Sequence, residues 1–177
     1  MRKKIIWSSG VVLLLAIASI IFMVFLNPQK PLNTSNESLY IYEDDNPRIE
    51  GARLLWDANV TGSSSSSSSV AEFICPETAT QAFAFLSEPG KEREVIGGWK
   101  AYSQTFLKPD HKVLQPNLKI SGLIEGEPGP NTILRTGGDF SLGLACTHGG
   151  NTMVDSVSYR YVSIASGVGE WTLTEKQ

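Results

Sequence analysis

The sequence predicts an all-β domain, a β-sandwich, carried behind one N-terminal transmembrane helix. Three observations lead there. From Ile5 to Leu26 the chain holds no charge, and Arg2, Lys3 and Lys4 stand directly before it. From Val70 onward, short alternating apolar segments are separated by Gly, Pro, Asn and Asp, the texture of strands and turns. Two cysteines, Cys75 and Cys146, both fall in that patterned part.

The apolar run matches the roughly 20 residues that cross a bilayer core of about 30 Å. The cations before it place residues 1–4 in the cytoplasm and residues 27–177 outside, a single-pass arrangement at the plasma membrane. The run ends in Phe22, Met23, Val24, Phe25 and Leu26, too bulky for a small-x-small cleavage site, so it reads as an uncleaved signal anchor over 5–26. Residues 27–38, rich in Pro, Asn, Ser and Thr, read as a flexible spacer, and 39–177 as one extracytoplasmic domain.

Composition narrows the partners. The net charge of -3 becomes about -6 once Arg2, Lys3 and Lys4 are set aside, which excludes a phosphate-binding basic face and hence nucleic acid. Two cysteines beyond the span, in a compartment where disulfides persist, predict a Cys75–Cys146 bridge.

Taken in order, Leu39 to Tyr42 alternates briefly before the acidic turn of Glu43, Asp44 and Asp45, and Ala52 to Val60 is expected as a first long strand. The seven serines Ser63–Ser69 bury nothing on sequence grounds and read as a mobile loop. Shortening such a loop is expected to change stability by less than about 1 kcal/mol. Gln81 to Leu86 puts Ala82, Ala84 and Leu86 on one face and Phe83 and Phe85 on the other. Strands are also expected over 70–75, 97–107 and 113–124, and a loop over 125–131. Phe140, Leu142, Leu144 and Cys146 alternate, Gly149 and Gly150 turn the chain, and 154–164 returns, so a hairpin is predicted. Glu170 to Thr174 closes the domain with Trp171 and Leu173 on one face.

The order Cys75, Trp99, Cys146 resembles an immunoglobulin-like domain, in which an inter-sheet disulfide packs on an intervening tryptophan. Leu144 stands where that family carries its corner tyrosine. The segments GGDFSLGLACTHGG and VSYRYVSIASGVGEWTL look like the closing hairpin of immunoglobulin-like repeats in membrane-anchored surface proteins of Gram-positive, particularly actinobacterial, cells. The resemblance implies an immunoglobulin-like sandwich and no catalytic residue.

The two histidines, His111 and His148, have no cysteine or carboxylate at metal-ligand spacing, so both read as solvated loop residues and neither a metal nor a cofactor is expected. No G-x-S-x-G stretch marks a nucleophile, and the chain is expected not to be an enzyme. Trp56, Trp99 and Trp171 are read as core. The function expected is a non-catalytic cell-surface interaction or structural domain engaging an envelope protein or glycan. The alternatives are a small enzyme or ligand receptor with a loop-built site, and a single-span subunit of a membrane complex.

Overall fold

The alternation of Phe140, Leu142, Leu144 and Cys146 is realised in the longest hairpin of the molecule. A computed structural model describes residues 36–94, 96–150 and 153–175. The strands are β1 (Tyr40–Glu43), β2 (Asn46–Arg48), β3 (Arg53–Leu55), β4 (Val60–Ser63), β5 (Phe73–Ile74), β6 (Gln81–Ser87), β7 (Ala101–Thr105), β8 (Lys112–Val113), β9 (Gly138–His148), β10 (Met153–Ile164) and β11 (Glu170–Thr174); a short helix α1 covers Pro130–Thr136. Six strands form one curled antiparallel sheet in the order β3-β11-β10-β9-β6-β7, beside a three-stranded sheet β2-β1-β4 and a ribbon β5-β8.

The register of the large sheet aligns Leu86 with Leu142, Ala84 with Leu144 and Ala82 with Cys146 on one face. That face belongs to the main core, which also gathers Leu39, Ile41 and Val60 from the small sheet and Leu118, Ile120 and Ile133 from the segments between. The opposite face carries Phe83, Phe85, Ala145, Val157 and Tyr159, closed over by Trp99. Gly143 sits on this second face, between Phe85 and Tyr159 across the ladder. A Cβ at Gly143 would lie 2.3 Å from the Ser158 carbonyl oxygen, so only glycine lets β9 and β10 approach there.

The immunoglobulin-like expectation is overturned. Cys75 and Cys146 are bonded, with Cα atoms 5.7 Å apart, but the bond joins the end of the β5-β8 ribbon to the last part of β9, an inner strand of the large sheet. Trp99 is fully buried on the other face of that sheet, 4.8 Å from the Phe85 ring in a stacked pair and away from the disulfide. A Cys-Trp-Cys order is met equally by a tryptophan on either face, and here the second face took it. The transmembrane part of the expected fold class also finds no support: among the described residues no helix is long and apolar enough to cross a membrane, and residues 5–26, like 1–4 and 27–35, lie outside them.

Smaller corrections follow from local chemistry. The strand expected over 52–60 is two strands in two different sheets, β3 and β4, separated by a turn at Trp56 to Asn59. The stretch 113–124 is mostly irregular, yet Leu118, Ile120 and Leu123 are all buried as their apolarity demanded. Helix α1 begins within the predicted loop: Pro130 takes the first turn, where its missing N–H costs nothing, and Gly137 ends it at φ 65°. Asp44 and Asp45 both take positive φ, 48° and 63°, and make the two-residue turn between β1 and β2 that the acidic cluster concealed.

The serine tract is fastened. Ser63 ends β4 with no exposed surface, and its hydroxyl donates to the Ser68 carbonyl while accepting the Ser65 N–H at 3.2 Å. Ser64 donates to the Glu72 carbonyl, and the Tyr42 hydroxyl donates to the Ser65 carbonyl. The N–H groups of Ser67 and Val70 donate to the hydroxyls of Ser65 and Ser68. The three N–H-to-hydroxyl bonds each span two residues, the local bonding that serine offers in place of a ladder.

Candidate functional site

An open concavity lies where the two layers part, beside β10. Strand β11 pairs with β10 only over Tyr161–Ile164, so among the described residues the first part of β10 has no strand on that side. Asn36 stands in for one residue of it: its N–H donates to the Val157 carbonyl at 2.7 Å, and its Oδ1 accepts the Val157 N–H at 2.9 Å. Arg93 also donates to that Oδ1, which holds Asn36 in place. Asn36 is therefore a structural clasp, whereas the side chain of Asn59 donates to Asp44.

Beyond the clasp the alternation brings Arg160, paired across from Leu142, to a position that points into the core elsewhere along β10. A charge there keeps the layers from closing, and two hollows open around it. One, of about 380 Å³, is lined by 36–40 with Tyr159 and Arg160; the other, of about 490 Å³, by Tyr40, Pro47, Arg48, Ile49, Glu50, Ser66 and Arg160. Tyr40 and Arg160 are common to both. Arg160 donates to Glu50 Oε1 at 3.0 Å, and Arg48 is paired with Glu43. The charged lining, Arg48 and Arg160 against Glu37 and Glu50, is balanced, while Ile49 offers an apolar surface that is 76% exposed.

A second cluster sits at the far end of the hairpin. The ladder shifts register between Val154 and Ser156, leaving Asp155 as the extra residue of a bulge. Asp155 Oδ1 lies 2.7 Å from His148 Nδ1, and Oδ2 accepts the Thr78 hydroxyl at 3.1 Å. The imidazole contact is a hydrogen bond when the proton sits on Nδ1. His148 was expected as a solvated loop residue; it ends β9 and has a carboxylate partner seven positions on, out of reach of any spacing rule. His111 adopts φ 58° in a turn and its carbonyl accepts the Cys75 N–H. Among the described residues no three histidine, cysteine or acidic side chains gather as a metal site.

The loop over the aromatic face holds a third polar group. Glu92 is fully buried; Oε1 accepts the Gly90 N–H at 2.9 Å and the Ser141 hydroxyl at 2.7 Å, and its carbonyl accepts Trp99 Nε1–H. Burial, then the Tyr161 hydroxyl and the Glu92 charge, push the Tyr159 phenol far above its usual range. Beside the β5-β8 ribbon, half-buried Glu72 is held below its ordinary range, first by hydrogen bonding to Lys108.

Of the residues singled out in the sequence, the structure joins Cys75 and Cys146 as expected. It separates Trp99 from them and brings together Tyr40, Arg48, Glu50 and Arg160, none of which carried a signal beyond the charge at an inward-facing strand position. No protein family matches the chain, and neither a curated protein nor a solved structure matches it.

Proposed function

We propose that the domain is a non-catalytic binding module of an oxidising, extracytoplasmic setting, and that it engages its partner, an envelope protein or glycan, through the groove around Arg160. The observation that carries this reading is the groove itself: side chains at its wall are already ion-paired, an arrangement suited to holding a ligand in place. The disulfide supports the compartment, since such bonds persist where thiols are not kept reduced. The test is retention of the labelled protein on isolated cell envelopes. Retention is expected, with loss in a Tyr40→Ala, Arg160→Met variant that unfolds at the wild-type temperature; failure of the wild type to be retained overturns the reading.

A second reading, a small hydrolase, is favoured by one feature, the carboxylate-oriented imidazole of His148. It requires His148→Ala to abolish turnover of a chromogenic ester by the purified protein.

A further inference from the structure

Resting on the binding role proposed above, we infer that the groove takes a linear, uncharged oligosaccharide that lies across the saddle made by Tyr40 and Arg160, with sugar units in both hollows. Three features favour this class. First, the two hollows share the Tyr40 and Arg160 side chains, so a ligand filling both must be elongated. Second, the lining charges are balanced and both arginines are ion-paired: an anionic ligand would meet each guanidinium together with its neutralising carboxylate, and would have to break the Arg160–Glu50 bond to gain a free one. A hydroxyl both donates and accepts, so vicinal hydroxyls bond to the guanidinium and to the carboxylate of an intact pair. Third, Pro47 and the highly exposed Ile49 supply apolar surface of the kind that meets the C–H face of a pyranose, with the exposed Ser66 at the rim.

A peptide is disfavoured by the backbone. Peptides that bind beside a strand do so by adding to its edge, and the edge groups of Val157 are already bonded to Asn36.

The experiment is saturation-transfer NMR and calorimetry on the full chain with three uncharged probes: cellohexaose, chitohexaose and mannohexaose. Binding of at least one is expected, weakened at least tenfold by Arg160→Met. The surface variant Ile49→Ser, at a side chain that is largely exposed, should weaken it several-fold and guards against an Arg160 variant that fails to fold. Absence of binding by all three probes, or binding that neither variant weakens, overturns the inference. Envelope retention that persists while every probe fails leaves the binding role standing and removes its glycan ligand; loss of both removes the two together.

Discussion

The two faces of the large sheet are buried by different means. On the disulfide face the cover comes from chain far away in sequence, β1, β4 and the segments 113–123, and Cys75–Cys146 ties that cover down across a sequence separation of 71. On the aromatic face the cover among the described residues is a single loop between β6 and β7, which folds Trp99 onto Phe85 and Phe83 just before the chain enters β7. The first face depends on long-range closure, the second on one side chain and its local bonds. The difference teaches that a sheet of this length can be completed without a second sheet on each side, provided the loop carries a large enough aromatic anchor.

The comparison is broken most severely from the aromatic side. Trp99→Ala removes the whole anchor, with an expected cost of about 4 kcal/mol. Chemical denaturation should show it, together with loss of the near-ultraviolet signal of the Phe85–Trp99 stack while the disulfide stays intact. A cost under about 1 kcal/mol would mean that the loop closes without its tryptophan.

On the other face, replacing Cys75 and Cys146 by alanine is expected to cost about 3 kcal/mol, read as a lower melting temperature. The same variant should leave the aromatic signal of the native state unchanged.

Alkali separates the faces by chemistry. The phenols of Tyr159 and Tyr102 are raised by burial, both on the aromatic side. A group whose folded-state value lies above its unfolded one stabilises fully below the unfolded value, about 10, and that contribution falls as pH rises towards the folded value. The denaturation midpoint should therefore decline from about pH 10 upward, and Tyr159→Phe should flatten the decline; an unchanged pH dependence in that variant would assign the effect elsewhere.

Much of this architecture was legible and some was not. Both faces of β6 followed from the alternation of Ala82, Phe83, Ala84, Phe85 and Leu86, and the β9–β10 hairpin followed from Phe140 to Ile164, because burial on a pleated strand writes itself at a period of two. Which layer covers which face leaves no such trace, so Trp99 was expected against the disulfide. The groove was illegible for a related reason: its lining comes from 36–40, 47–50, 66 and 159–160, and no motif spans segments that meet only after folding. Arg160 was the one available hint, a cation at the parity of Val162 and Ile164. The serine tract misled by composition: its order rests on hydroxyl-to-backbone bonds that hydropathy cannot register.

Those bonds bear on how the tract can vary in length. The bonds from the Ser65 N–H to Ser63 and from the Ser67 N–H to Ser65 repeat every second residue. A tract longer by two serines can rebuild the pattern with one more bond of the same kind, whereas a tract longer by one must move Ser68 out of step with Ser63, whose buried hydroxyl bonds to its carbonyl. Insertion of two serines between Ser65 and Ser67 is therefore expected to lower the melting temperature less than insertion of one, because only the first keeps the two-residue spacing of these bonds.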